Sequence, residues 1–284
     1  MKIAGVQMDV RLGDKAHNLN QIEYFAREAA ATDAKLVVFP ECAVTGYCFE
    51  SLEEAMPFAE AFDNGTCQSV SRLQQICSEL QIHIVAGMLE RQAGSTEEDQ
   101  LFNVCVCVGP NGLVGKYRKT HLPKLGVDHF ATPGDHPYEV FEVDGARIGM
   151  LICYDASFPE ASRVLSLEGA DLIVLPTNWP FGAEPTADYV INARASENKV
   201  YFISVDRIGL ERGFQFIGKS KICDIHGKNL DVADHANQAI IYAEIDPQEA
   251  RNKRIQRAPG HSIDRFKDRR PDLYGRVSDT QAEP

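Results

Sequence analysis

Short apolar runs at residues 35–39, 82–88, 101–108, 146–153, 171–175 and 200–205, each cut off by a turn residue or a change of period, limit this chain more than any other feature. Runs of this length are strands, and the longest stretches, 104–108, 150–153 and 172–175, fall far short of the roughly 18 residues that a membrane span needs. Between them lie segments of helical spacing. Residues 14–31 place Leu19, Ile22, Phe25 or Ala26, and Ala29 or Ala30 on one face; 159–167 opens on Pro159; 187–198 follows, and a short helix is expected near Pro247. Further strands are predicted at 2–8, 220–224 and 239–245, with hairpins turning at Pro110-Asn111-Gly112 and at Asp144-Gly145. Helices interspersed with buried runs and hairpins predict an α/β domain whose mixed sheets are covered by helices. Neither a linker nor a repeat breaks the pattern. The chain is therefore read as one domain over 1–284, with a core to about residue 250 and a basic C-terminal extension over about 251–284.

With 44% hydrophobic and 25% charged side chains, the 284 residues can bury a sizeable core. Forty-one acidic against 29 basic residues give a net charge of −12, which repels polyphosphate and anionic lipid, so neither nucleic acid nor a membrane is an expected partner. The stretch 251–270 is rich in Lys and Arg, with only Asp264 and Asp268 as acids. Pairing with the acidic surface of its own or a neighbouring subunit is its expected role. The N-terminus lacks the apolar core and cleavage site of a signal peptide, and the eight cysteines are irregularly spaced without a C-x-x-C pair. A cytoplasmic protein with reduced thiols is expected. The histidines show no metal-site spacing, so no metal is expected, and Asn64-Gly65-Thr66 reads as a turn.

Motifs for zinc proteases, serine hydrolases, P-loops and dinucleotide sites are absent. Three places remain where an apolar strand ends in a reactive group. Residues 36–41 deliver Glu41, 115–123 deliver a positive cluster around Lys119, and 149–155 deliver Cys153. Taken singly, a carboxylate after a strand serves as a loop residue or cap, a lysine serves solubility, and a buried thiol is commonly inert. Their conjunction has chemical meaning. A thiol with a free pKa near 8.5 needs a base to become a nucleophile, and Glu41, behind the apolar residues 37–40, can supply one if partly desolvated. Lys119 can neutralise an oxyanion, aided by the backbone N–H of Tyr154.

These segments resemble the Glu-Lys-Cys triad of the nitrilase superfamily of carbon–nitrogen hydrolases. The likeness rests on Phe39-Pro40-Glu41 with Thr45-Gly46-Tyr47, on Tyr117-Arg118-Lys119-Thr120-His121-Leu122, and on Cys153-Tyr154-Asp155 with Phe158-Pro159-Glu160. Pro133-Gly134-Asp135, Asn178-Trp179-Pro180, Arg194-Ala195 and Glu197-Asn198 add to it. The resemblance implies a four-layer α-β-β-α sandwich with two mixed sheets, association as a homodimer or higher homo-oligomer, and no cofactor. It implies Glu41 as general base, Lys119 as oxyanion stabiliser and Cys153 as nucleophile. A second family glutamate has Asp128 as its nearest counterpart, one methylene shorter; Asp128 either orients substrate and lysine or caps a turn. Tyr47, Trp179 and Phe181 line a pocket or pack, and Asn178 and Tyr154 offer contacts to a small amide substrate. The function expected is hydrolysis of a small linear amide through a cysteinyl thioester. An N-carbamoyl amine or amino-acid hydrolase, a nitrilase, and an inactive binding module of the same fold are the alternatives.

Overall fold

The computed structural model describes residues 1–62, 67–93 and 99–280, so the expected turn at 64–66 lies outside the described residues. Five strands, β1 (Lys2–Gln7), β2 (Leu36–Val38), β3 (His83–Gln92), β4 (Gln100–Gly109) and β5 (Gly112–Arg118), belong to the first sheet. The second sheet holds β6 (Val140–Val143), β7 (Ala146–Met150), β8 (Leu172–Thr177) and β9 (Tyr201–Asp206). A hairpin, β10 (Ile208–Glu211) and β11 (Phe214–Ile217), precedes β12 (Ser220–Cys223) and β13 (Asn229–Ala233), which complete the second sheet. β14 (Ala239–Glu244) returns to the first, and β15 (Arg254–Ala258) pairs with β16 (His261–Asp264) in the tail. The helices are α1 (Lys15–Ala30), α2 (Leu52–Ala55), α3 (Gln68–Leu80), α4 (Pro159–Leu167), α5 (Ile191–Asn198) and α6 (Pro247–Arg251).

The strand orders are β14-β1-β2-β3-β4-β5 and β13-β12-β9-β8-β7-β6, six strands each. Each sheet carries parallel pairings in its middle and antiparallel ones outside, in the same succession when the second is taken from β6. This is the expected pair of mixed sheets, and its order repeat has no counterpart in the sequence pattern. The sheets approach closely where β1 crosses β9: a Cβ on Gly5 would lie 2.9 Å from Val205 and 3.1 Å from Ile203. One apolar cluster fills the seam and runs under α4 and α5; another joins the outer face of the first sheet to α1 and α3. Central β2, buried on both faces, is a continuous Leu-Val-Val run for that reason. No helix among the described residues is long and apolar enough to cross a membrane.

Several local readings need correction. The strand expected over 146–153 ends at Met150, because Cys153 adopts φ 46°, a left-handed backbone that ends the extended run and opens a 3-10 turn over Cys153–Ser157. The helix expected over 187–198 begins as a π turn, Thr186–Val190, before α5. Helices α2 and α3 and the β10–β11 hairpin are additions to the sequence reading; α3 carries its apolar residues Val70, Leu73, Ile76, Cys77 and Leu80 at helical spacing. In the tail, Arg251 does pair with an acid of the body, buried Asp171, at 2.7 Å. Lys253 instead donates to the carbonyls of Asn198 and Lys199, and Arg265 to that of Ser196, so these two cations cap the end of α5 rather than meet acids. All eight cysteines are unpaired and buried.

Glu60 ties α1 to the start of α3. Its carboxylate accepts from Lys15 Nζ at 2.7 Å, from the Ser69 backbone N–H at 2.9 Å and from the Ser69 hydroxyl. Burial disfavours the charge, but these donors prevail and hold the Glu60 pKa down to about 2. Glu60→Gln is expected to cost about 1 to 3 kcal/mol of stability at neutral pH. Because the native pKa is depressed, that stabilisation is complete above the ordinary carboxylate pKa and fades as pH falls toward about 2. Urea unfolding of both proteins at neutral and acidic pH checks this: the gap between them should narrow in acid.

Candidate active site

Glu41 follows β2 in a tight turn whose backbone is pinned to β3, with Phe39 N–H donating to Val85 O at 2.8 Å and Gly87 N–H to Pro40 O at 3.1 Å. Only glycine fits at 87, since a Cβ there would stand 2.2 Å from Cys42 N and 2.7 Å from Glu41 Cα. Lys119 follows β5; its N–H donates to Asn103 O and its carbonyl accepts from Gly134 N–H. Gly134 has an equally local reason, because a Cβ would fall 2.3 Å from Arg118 O. Cys153 follows β7 at the head of its 3-10 turn. Thus two strand ends of the first sheet and one of the second bring the three groups expected from the sequence together.

At their meeting point Lys119 Nζ lies 2.7 Å from Glu41 Oε1 and 2.5 Å from Asp128 Oδ2, with all three side chains 0% exposed. Asp128 is therefore no turn cap. Its Oδ2 is also 2.9 Å from the Tyr47 hydroxyl, and its Oδ1 accepts from Asn103 Nδ2 at 2.8 Å. The same Asn103 amide nitrogen donates to Glu41 Oε1 at 2.7 Å. Glu41 Oε1 is thereby saturated, while Oε2 has no hydrogen-bond partner among the described residues. Thr177 and Asn178, at the end of β8, adjoin Cys153, and the Thr177 hydroxyl has no hydrogen-bond partner among the described residues.

Burial dominates the electrostatics. It pushes the Cys153 thiol pKa up, and the Glu41 charge adds to this while Lys119 opposes it, so the resting sulfur is a neutral thiol. Glu41 is likewise raised by burial, with the Asp128 charge helping and Lys119 and the Asn103 amide opposing. For Lys119, burial favours the neutral amine but the charges of Asp128 and Glu41 outweigh it, so the pKa stands well above its ordinary value and the group stays an ammonium.

Among the other residues singled out from sequence, Tyr47 is buried with its ring 6.0 Å below Lys119 Nζ. Asn178 is buried with neither amide atom partnered among the described residues, and Trp179 is buried with its backbone N–H on Asp206 Oδ1 at 2.7 Å. Tyr154 turns its ring outward, 40% exposed and edge-on to Phe158, so only its backbone adjoins Cys153. Phe181 is 72% exposed. Asn103 is the residue that sequence reasoning missed. Its signal was a lone amide in the middle of the apolar run 101–108. Among the described residues no group of three His, Cys, Asp or Glu side chains is arranged to hold a metal ion.

Two facing mixed sheets clad in helices, with a carboxylate, an amine and a thiol at their strand ends, are the α-β-β-α architecture of a nitrilase-like hydrolase. Comparison with known proteins agrees. An amidase from Nesterenkonia sp. superposes with a TM-score of 0.78 at 24% identity, covering 98% of this chain and 96% of that one. The profile of the carbon-nitrogen hydrolase family matches residues 2–255. A nitrilase of Pyrococcus abyssi is 39% identical over 276 residues, spanning 97% of this chain and 100% of its own length. The 2-oxoglutaramate amidase of Bacillus subtilis is 30% identical over 276 residues, covering 96% and 98%. The chain belongs to the carbon–nitrogen hydrolase family.

Asn103→Leu tests the electrostatic description. Removing a donor that favours the Glu41 carboxylate should move its protonation to higher pH, read by carbon-13 NMR of labelled side-chain carboxylates. An unmoved midpoint would mean that the amide donates elsewhere.

Proposed function

We propose that this protein is a cysteine-dependent amidase that hydrolyses a small linear amide to a carboxylic acid and ammonia. The observation that carries the reading is Glu41 itself: one oxygen is fixed by Lys119 and Asn103 and the other has no partner among the described residues, in a fully buried site beside a thiol that needs its proton removed. Glu41 Oε2 takes the thiol proton as sulfur attacks the amide carbon. The Lys119 ammonium and the Tyr154 backbone N–H stabilise the oxyanion, a kind of contact worth about 3 to 4 kcal/mol per donor. The tetrahedral species collapses to a thioester as Glu41 returns the proton to the leaving amine. Water, deprotonated by the same carboxylate, then attacks the thioester, and the acid leaves as the thiol is restored.

In this scheme Asp128, held by Tyr47 and Asn103, keeps the ammonium charged and aimed, and Asn178 and Trp179 contact the substrate. Support comes from relatives described as amidases, including an (R)-stereoselective amidase of Pseudomonas sp. at 33% identity. A related amidase has been described with acrylamide added to its active-site cysteine. The proposal includes a homodimer or larger homo-oligomer, which fits the exposed Leu167 on α4 and Leu273 and Val277 in the tail. It also includes a cytoplasmic place of action.

Ammonia release should be screened over amides, ureido acids and nitriles, with mass spectrometry of protein quenched during turnover. Amide hydrolysis with an acyl adduct on Cys153 is expected, and Cys153→Ala should lose about 10³-fold or more of kcat with its fold intact. Release of carbon dioxide with ammonia would shift the substrate class to carbamoyl compounds. A Cys153→Ala protein that turned over normally would end the proposal.

A further inference from the structure

Lys119 and Cys153 stand on different sheets, and nothing in the mechanism above says what keeps the amine and the sulfur in register across the seam. One fully buried carboxylate that the mechanism does not use, Asp155, touches the chain on both sides of that seam. Its Oδ1 accepts from the His121 backbone N–H at 3.1 Å and the Thr120 hydroxyl at 3.2 Å, and stands 2.7 Å from His121 Nδ1. Its Oδ2 accepts from the Tyr117 hydroxyl at 2.9 Å and from the Ile152 backbone N–H at 2.9 Å. The first four partners flank Lys119 on either side; the last immediately precedes Cys153.

Further contacts brace the same crossing. The His121 ring stacks on Phe158 with centroids 3.7 Å apart and planes at 10°, and the Thr120 hydroxyl is 2.9 Å from that of Tyr138. Within the turn, the Asp155 N–H donates back to Ile152 O at 3.0 Å, closing the loop that holds Cys153 at φ 46°. A left-handed backbone at a residue with a Cβ is unfavourable and persists only where neighbouring structure enforces it. Asp155 accepts four hydrogen bonds and faces His121 Nδ1 as a fifth neighbour, so one side chain joins both strand ends.

We propose that Asp155 is a positioning residue: it locks the end of β5 to the nucleophile turn and so fixes the distance from the Lys119 ammonium to the Cys153 sulfur. It acts through its neighbours and touches no substrate. Losing it lets the two sheets' contributions drift by a fraction of an ångström to an ångström, a displacement that costs about 10²-fold in rate while leaving substrate binding in place.

The inference rests on the proposed chemistry only for its turnover readout. Asp155→Asn keeps the shape but replaces an acceptor with an N–H₂ that meets donors. Asp171→Asn is the control, another buried carboxylate, bonded to Arg251 and to the Arg147 backbone N–H in contacts that do not involve the reactive groups. The expected result for Asp155→Asn is a kcat lowered about 10²-fold with KM changed little. Iodoacetamide should also alkylate Cys153 at least several-fold more slowly, mapped by peptide mass spectrometry, and the melting temperature should fall no further than in the control. Normal kcat and normal alkylation at an equally lowered melting temperature would reduce Asp155 to ordinary packing and overturn the proposal. If Asp155→Asn does not fold, Tyr117→Phe, which removes one oxygen from the clamp, carries the same comparison: slowed turnover and alkylation support the clamp, and normal values of both overturn it. Should the wild type hydrolyse none of the amides, the amidase reading fails, and the alkylation rates still decide the clamp.

Discussion

The buried contact between Lys119 and the two carboxylates of Glu41 and Asp128 is the interaction on which the rest of this structure depends. Removing three ionised groups from water costs several kcal/mol each, and mutual attraction offsets that only when geometry is tight and the remaining lone pairs find donors. The fold meets those terms. Asn103 from β4 supplies donors to both acids, Tyr47 supplies one to Asp128, and the two sheets and their helices exclude water. What is left over is one unsatisfied oxygen of Glu41 beside a neutral thiol. A site that is electrically complete except at one atom is stable at rest and still able to accept a proton there.

Much of that site was legible because each reactive group follows a strand-like segment. Glu41 and Cys153 close apolar runs and Lys119 follows a hairpin arm, so the pattern placed all three near strand ends. Asp128 was reachable only through family resemblance, since nothing in its own neighbourhood marks it. Asn103 was hidden by its flanks: in β4, Phe102 and Val104 face the helices while Asn103 shares the seam-facing side with Cys105 and Cys107, and a one-dimensional pattern reports only an apolar run. The end of β7 was misjudged for a related reason. Leu151 and Ile152 are as apolar as the strand before them, and the left-handed turn at Cys153 is imposed by tertiary bonds rather than by residue type.

Sheet membership was not legible at all. β1 finds its antiparallel partner in β14, with Lys2 opposite Glu244, and no local periodicity encodes a pairing between the two ends of a chain. The α/β class followed from alternation of periods, whereas the order of strands, repeated in both sheets, is decided by which buried faces fit across the seam, as at Gly5 against Val205.

The capping of α5 by the tail carries further than its distance from the cleft suggests. Lys253 and Arg265 hold the last carbonyls of that helix, and from the same helix Arg194 reaches back to the carbonyls of Ala156 and Ser157, inside the turn that begins with Cys153. The C-terminal extension thus works as a lever resting on α5. A chain cut after β14 would keep every reactive side chain and lose Lys253 and Arg265, the cations on which the end of α5 rests.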